Sequence, residues 1–187
     1  GPLAARYSGH EYLGEVAHVD SMLARFIGPI LQPETMVIVT RDLGEALGDH
    51  GELTHGLFAY EATLKVPLLV RDGTVKPRFD DKPARHIDIV PTILERTGIA
   101  RPADRMGLSL LSERQTAAPT YFEALSASLN RGWAPLVGII EQGHKYIDLP
   151  LPELYDLAAD PREASNVFSE KRRVTSALRG ILAAAAP

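Results

Sequence analysis

Two short runs of apolar, partly β-branched residues constrain the fold of this chain most strongly. They are TMVIVT (residues 35–40) and KVPLLV (residues 65–70), and a glycine-rich segment joins them. Such runs are typical of strands that are covered on both faces of a sheet. We therefore expect the two runs to lie side by side as inner strands of one sheet, with Asp42 at the carboxyl edge of that sheet.

Helical patterns surround these runs. Apolar residues recur at helical spacing over about residues 9–28, after a capping-box pattern formed by Ser8 and Glu11. The segment HIDIVPTILERTG predicts a second helix that begins near Asp88 and ends before Gly98. Alternating strands and helices indicate an α/β layer architecture.

The character of the sequence changes at about residue 120. TYFEAL predicts a strand, LVGIIEQGHKYIDL predicts a hairpin that turns at Gln142 and Gly143, and ELYDLAADPREASNVF indicates a loop-rich connection. The segment SEKRRVTSALRGILAAAA predicts a closing helix with an apolar face formed by Val174, Leu178, Ile181 and Leu182. We expect two parts: residues 1–118 as part of an α/β core, and residues 119–187 as a small α+β subdomain with an antiparallel sheet and a helix.

The composition excludes several classes of site. The chain has no cysteine, which rules out disulfides, thiolate metal sites and a cysteine nucleophile. Its 187 residues carry a formal charge of -4 without a basic stripe, so nucleic acid is not expected as a partner. No apolar run reaches the roughly 18 residues that cross a bilayer, so no membrane span is expected.

Residues 37–56, VIVTRDLGEALGDHGELTHG, concentrate groups that bind metals and anions directly after the first predicted strand. In open α/β sheets, ligands gather beyond the carboxyl ends of the strands. Asp42 could offer its carboxylate there to a hard cation such as calcium or magnesium, and His55 could return to the same rim to bind an anionic group. Asp and Gly are also common turn residues, so a solvated acidic loop is the alternative explanation.

Five motifs, in the same order along the chain, resemble the C-terminal half of the sulfatase family in the alkaline-phosphatase superfamily. They are YSGHEYLGEVAHVDSMLARF, MVIVTRDLGEALGDHGELTHGLFAYEATLKVPLLV, HIDIVPTILERTGI, GLSLL and ELYDLAADPREASNVF. The resemblance covers nearly all of the chain. It implies an alkaline-phosphatase-like mixed sheet sandwiched by helices, of which these residues would form a part.

The resemblance also implies roles for individual residues. In that family a single divalent cation, usually calcium, binds the sulfate ester beside a formylglycine, and Asp42 matches one of the metal ligands. The next position is His or Asn in the family and Leu43 here, a side chain that cannot coordinate a metal. His55 matches a Lys or His that contacts the sulfate or the leaving oxygen, where a donor would stabilise developing charge. Asp49 and His50 match a recurrent loop, in which a structural role and a catalytic role both stay open.

The segment that supplies the family's nucleophile, Cys/Ser-x-Pro-x-Arg, does not occur in this sequence. We therefore expect the C-terminal portion of a sulfatase-like hydrolase, inactive as an isolated chain. Its partners would be the missing N-terminal half and a sulfate-ester small molecule or glycan. Two alternatives stay open: a non-catalytic sulfatase-like module, which Leu43 favours, and a phosphodiesterase or phosphonate hydrolase of the same superfamily.

Overall fold

The computed structural model describes residues 5–102, 107–112 and 118–185. Within these residues the strands are β1 (Val37–Thr40), β2 (Leu68–Arg71), β3 (Thr120–Ala124), β4 (Leu136–Glu141), β5 (His144–Asp148) and β6 (Glu153–Asp156). The α-helices are α1 (Glu11–Ile27), α2 (Glu61–Leu64), α3 (Ile89–Thr97), α4 (Ser126–Arg131) and α5 (Arg172–Ala185). Short 3-10 turns cover Gly28–Ile30, Asp49–Gly51 and His86–Asp88.

Two compact units make up the described chain. The first comprises the described residues up to Val39 together with Leu69–Arg78. The second comprises Thr40–Leu68 and the described residues from Phe79 onward. The division between residues 118 and 119 that the sequence suggests stays a prediction.

Helix α1 belongs to the first unit and begins at Glu11, with His10 in the N-cap position. The predicted capping box with Ser8 is wrong, because Gly9 turns the chain through a left-handed conformation between Ser8 and the helix. The Glu11 carboxylate instead accepts a hydrogen bond from the Gly9 N–H at 3.2 Å. Among the described residues, no helix combines the length and the apolar composition needed to cross a membrane.

Strands β1 and β2 pair in a two-stranded sheet, which confirms that the two apolar runs lie side by side. The prediction that both are inner strands is wrong for the described residues, because there each strand has only the other as a neighbour. Their exposure reflects this arrangement: β1 is half-buried along its length, and Leu69 in β2 is 60% exposed.

The second sheet, named the C-terminal sheet below, has the strand order β3-β4-β5-β6 and is antiparallel throughout. Strands β4 and β5 form the predicted hairpin, with Gln142 and Gly143 at its turn. Their φ values of 49° and 76° are of the positive kind that a type I′ turn requires. The predicted loop at ELYD is wrong, because Leu154 and Tyr155 of β6 are each buried in a different hydrophobic cluster.

Different parts of the second unit cover the two faces of this sheet. On one face, Ile139, Tyr146 and Leu154 pack against Leu178 and Leu182 of α5, which confirms the predicted apolar face of the closing helix. On the other face, the buried cluster contains Ala59, Phe122, Leu136, Ile147 and Tyr155. The chain around Ala59 therefore packs against the sheet.

Asp88 precedes α3, but its side chain makes no capping bond to that helix. Its buried carboxylate accepts hydrogen bonds from the Arg85 N–H at 2.9 Å and the Leu108 N–H at 2.8 Å, and it pairs with the Arg85 guanidinium at 3.1 Å. Burial opposes ionisation of this carboxyl, but the hydrogen bonds from Arg85 and Leu108 outweigh burial and hold the pKa of Asp88 below its ordinary value. Asp88 thus ties the start of α3 to the GLSLL segment.

Candidate active site

The glycine-rich segment after β1 folds into a narrow loop. The Gly48 N–H donates to the Glu52 carbonyl, and the Ala46 N–H donates to the Thr54 carbonyl, both at 2.8 Å. These two bonds set a hairpin-like register, in which position 46 lies opposite position 54. Residues 44–58 are named the site loop below.

The tip of the site loop has left-handed backbone. Gly48, His50 and Gly51 have φ values of 95°, 50° and 78°. Glycine adopts such values freely, whereas a residue with a Cβ does so at a cost on the order of 1–3 kcal/mol. His50 therefore needs contacts that hold it in place.

His50 has those contacts on its inner side. Its ring stacks on the Tyr60 ring, with centroids 3.7 Å apart and planes inclined by 14°. Its Nε2 lies 3.0 Å from the carbonyl oxygen of Glu163 and donates to it, because a carbonyl can only accept. Its Nδ1 lies 3.4 Å from the carboxylate of Asp49. These contacts favour the structural role for Asp49 and His50 over the catalytic one.

A buried cluster of charges lies next to the site loop. Lys145 of β5 is fully buried, and its Nζ lies 2.7 Å from Glu163 Oε1 and 2.9 Å from Glu61 Oε1. It also donates to the Ala59 carbonyl at 3.1 Å. The second carboxylate oxygen of Glu163 accepts the Glu61 N–H at 2.6 Å. The cluster thus joins the C-terminal sheet to the chain that follows the site loop.

Sequence patterns do not reveal this cluster. Its one visible sign is Lys145, which directly precedes the apolar residues Tyr146 and Ile147 of β5. Glu61 and Glu163 are far apart in the chain, and each resembles an ordinary surface carboxylate when read alone.

Glu153 joins two tyrosines in the same region. The hydroxyls of Tyr60 and Tyr155 both donate to Glu153 Oε2, each at 3.0 Å. Burial first, and then the negative charge of Glu153, raises the pKa of both tyrosine hydroxyls well above its ordinary value. Both phenols therefore remain protonated donors over the physiological range.

Two contacts fix the ends of the site loop. The Gly44 N–H donates to the Thr63 carbonyl at 2.8 Å, and a Cβ at Gly44 would lie 2.3 Å from a backbone carbonyl oxygen. Only glycine fits there without a shift of the backbone. At the other end, Glu52 is 4% exposed, and its carboxylate accepts the N–H groups of Leu57 at 2.7 Å and Phe58 at 3.3 Å. Glu52 therefore holds the backbone just after His55.

His55 itself is exposed. Its side chain is 43% exposed, and its Nδ1 lies 2.8 Å from Oε1 of Glu45, whose side chain is 21% exposed. Sequence reasoning singles out His55 but does not pair it with Glu45. The register of the site loop supplies that pairing.

Asp42 and Leu43 lie between β1 and the site loop. Asp42 is exposed, and its Oδ1 accepts the Leu43 N–H at 3.0 Å. Leu43 is half-buried. In the part of the chain that the structure describes, Asp42 and His55 share no hydrogen bond or ion pair. The structure thus pairs His55 with Glu45.

A complete metal site is not formed by the described residues alone. Among them, no group of three or more His, Asp or Glu side chains is arranged to hold a metal ion. Calcium takes about 6–8 oxygen ligands. The role of Asp42 as a metal ligand therefore stays a prediction.

Known proteins resemble this chain over most of its length. The model of the Sulfatase family matches residues 5–99, just over half of the 187 residues. A choline-sulfatase of Rhizobium meliloti (strain 1021) is 27% identical in an alignment of 176 positions, and this alignment covers 89% of this chain and 34% of that protein. The multifunctional alkaline phosphatase superfamily protein PehA of Trinickia caryophylli is 30% identical in an alignment of 190 positions, and this alignment covers 85% of this chain and 36% of PehA.

The chain therefore spans about a third of the length of these curated relatives. Among solved structures, BT4656 in complex with its substrate D-glucosamine-2-N,6-O-disulfate superposes with a TM-score of 0.74 at 25% identity, over 97% of this chain and 41% of BT4656. The fold is the predicted alkaline-phosphatase-like α/β fold. Because the Sulfatase family model matches more than half of its residues, this chain belongs to the sulfatase family.

Proposed function

We propose that this chain is the C-terminal portion of a metal-dependent hydrolase of sulfate esters, and that its site loop presents His55 to the sulfate group or to the leaving oxygen. The construction of the site loop carries this proposal. His50 and Glu52 are turned into the fold and hold the loop, whereas His55 is exposed at a position fixed by the backbone. A connection with no further task would need none of these contacts.

The chemistry of a sulfate ester suits such a group. The ester is an anion, and further negative charge develops on the oxygen that leaves with the alcohol. A donor already held in place stabilises that charge without reorganising during the reaction. As an imidazolium, His55 can donate the proton on Nε2 to this oxygen while its Nδ1–H donates to the Glu45 carboxylate.

The metal and the nucleophile are assigned to the complete protein. Calcium or another divalent cation, when bound, would offset the charge of the sulfate group, and Asp42 is the proposed ligand from this chain. A formylglycine would be supplied by a part of the complete protein outside these residues. Since Asp42 is the one ligand proposed from this chain and Leu43 offers none, we expect the isolated chain to be inactive.

Two other functions have a specific observation in their favour. Leu43 stands where the family has a polar ligand, which favours a non-catalytic module that binds sulfate esters. PehA, which is 30% identical to this chain, is a multifunctional protein of the alkaline phosphatase superfamily, so a hydrolase of that superfamily with another substrate, such as a phosphodiesterase or phosphonate hydrolase, is the second alternative. The anion site would be shared in all three cases, so substrate tests must separate them.

The test uses the full-length protein that carries this chain. Hydrolysis of p-nitrophenyl sulfate, bis(p-nitrophenyl) phosphate and an aryl phosphonate monoester is compared with calcium present and after chelation. We expect the sulfate ester to be preferred, chelation to abolish turnover, and His55→Ala to lower kcat/KM by about 10²–10³. Glu170→Ala removes an exposed carboxylate outside the site loop and is the control.

Other outcomes decide between the alternatives. Preference for the phosphodiester or the phosphonate would replace the sulfatase proposal with the second alternative. Binding of the aryl sulfate without turnover of any ester would assign the chain to a non-catalytic module.

A further inference from the structure

Glu45 and His55 lie at matching positions of the site loop. The backbone bond from the Ala46 N–H to the Thr54 carbonyl pairs those two residues, and one step further from the tip the same register places Glu45 opposite His55. Side chains at opposite positions of such a register are close neighbours. The 2.8 Å contact between Nδ1 and Oε1 therefore follows from the backbone of the loop.

The backbone on the outer side of each residue is also held. Gly44, directly before Glu45, donates its N–H to the chain of α2 and has no room for a Cβ. The buried carboxylate of Glu52 accepts two N–H groups that follow His55. These contacts hold the backbone on the outer side of both residues.

We propose that Glu45 is a positioning residue, whose carboxylate accepts the Nδ1–H of His55 and leaves Nε2 as the ring atom that meets the bound anion. This rests on the function proposed above, which gives His55 its task. An ionised carboxylate can only accept a hydrogen bond. The neutral ring is therefore held in the Nδ1–H tautomer, since the bond made by one ring nitrogen sets the state of the other.

The same contact has a second effect when Nε2 is protonated. The imidazolium then carries a positive charge, and the negative charge of Glu45 lies beside it. The hydrogen bond fixes the plane of the ring, so Nε2 keeps the same direction in the neutral ring and in the imidazolium. A lysine at this position would offer a charge on a flexible stem, without a ring plane that a neighbouring carboxylate could fix.

A surface ion pair without this role would behave differently. Exposed pairs contribute about 0–1 kcal/mol and leave both side chains free to reorient. Such a pair would not select one tautomer of the neutral ring. The tautomer is thus the property that separates the two cases.

The test reads the tautomer of His55 from long-range proton–nitrogen NMR correlations of its ring, on the 187-residue chain at a pH where the ring is neutral. The His55 signals are assigned by their loss in His55→Gln. We expect the Nδ1–H tautomer to predominate in the wild-type chain and in the charge-matched control Glu170→Ala. In Glu45→Ala, the tautomer ratio should shift toward Nε2–H by about fivefold, as expected for the loss of one hydrogen bond.

Amide shifts of Ala46 and Thr54 report whether the loop stays formed in each variant. If alanine disturbs the loop, Glu45→Met decides, because methionine has a similar length and no strong acceptor. A wild-type ring in the Nε2–H tautomer would overturn the proposal. An unchanged ratio in the variant that keeps the loop would overturn it as well.

The activity of the full-length protein tests separately whether the contact between Glu45 and His55 affects ester hydrolysis. Glu45→Met should lower kcat for the aryl sulfate by about 10-fold or more, with little change in KM, because the anion still binds while the ring is no longer held. If the wild-type protein hydrolyses the sulfate ester but the tautomer result is negative, the positioning role alone fails. If the tautomer is as expected but no sulfate ester is hydrolysed, the proposed function fails.

Discussion

The ammonium of Lys145 lies 2.7 Å from a carboxylate oxygen of Glu163, and both side chains are almost entirely shielded from solvent. Glu163 also accepts the Glu61 N–H and, through its backbone carbonyl, a hydrogen bond from His50. Through Glu163, this ion pair is thus connected both to the tip of the site loop and to the chain that follows the loop. The C-terminal sheet takes part in shaping the loop that carries His55.

Lys145→Met should destabilise the protein strongly. It leaves Glu163 buried without its charged partner, and removal of one member of a buried pair costs about 3–5 kcal/mol. The free energy of unfolding from urea titrations measures the effect. Glu170→Ala is the exposed control, with an expected change within about 0.5 kcal/mol. A loss below about 1 kcal/mol in Lys145→Met would show that the pair is dispensable.

Gly44→Ala should destabilise the protein because of a steric clash. The new Cβ would lie 2.3 Å from a backbone carbonyl oxygen, and such overpacking typically costs about 1–3 kcal/mol. Gly180→Ala is a matched control on α5, where a Cβ meets nothing within 4 Å and a gain of about 0.5–1 kcal/mol is expected. Equal stability of the Gly44→Ala variant and the wild type would contradict the close approach.

Alkaline pH should destabilise the protein through Tyr60 and Tyr155. Their pKa values are raised in the folded state, so the folded protein keeps protons that the unfolded chain releases above its pKa of about 10. Their contribution to stability is fully present below that pH and is lost as the pH rises toward the folded pKa. Urea unfolding at a series of alkaline pH values should show this loss, and Tyr60→Phe or Tyr155→Phe should reduce its slope. Slopes equal to that of the wild type in both variants would argue against the raised pKa values.

The isolated chain should bind calcium weakly or not at all. Asp42 offers one carboxylate, Leu43 offers no oxygen, and calcium takes about 6–8 oxygen ligands. Titration calorimetry on the 187-residue chain measures this, with Asp42→Asn as the control that should give the same small heat. Micromolar affinity that disappears in Asp42→Asn would mean that this chain forms a metal site by itself.

Leu43→His in the full-length protein should raise the rate of sulfate-ester hydrolysis if the position has lost a ligand. Restoring one such polar contact is expected to be worth about 10²–10³ in rate. Leu43→Ala removes the leucine without adding a ligand and should give no increase. A lower melting temperature without a faster rate would instead mean that Leu43 is a packing residue, because the half-buried imidazole would lack partners.

The parts of the fold that follow from local chemistry are those that the sequence predicts. Gln142 and Gly143 mark the hairpin because its turn needs positive φ at both positions. The apolar face of α5 is visible because helical spacing repeats within the segment itself. The pairing of β1 with β2 is predictable because both runs are apolar and a glycine-rich segment joins them.

Contacts between distant residues are what the sequence does not show. Strand β6 forms because β5 offers it an edge and both faces of the sheet are covered, whereas its own residues also fit a loop. Glu163 meets Glu61 and Lys145 only after the C-terminal sheet has packed against the chain around Ala59. In the site loop, the contact between Glu45 and His55 depends on a register that two backbone hydrogen bonds set. The glycine-rich sequence has no hydrophobic periodicity from which this register could be predicted.

Neighbouring residues of β5 lie on opposite faces of the C-terminal sheet, with Lys145 and Ile147 toward the chain that follows the site loop and Tyr146 toward α5. A substitution in β5 therefore affects the chain that follows the site loop when it is at position 145 or 147, and α5 when it is at position 146. At positions 145 and 147, it would act on the site loop through the backbone. At position 146, it would loosen the packing of the closing helix and leave the site loop as it was.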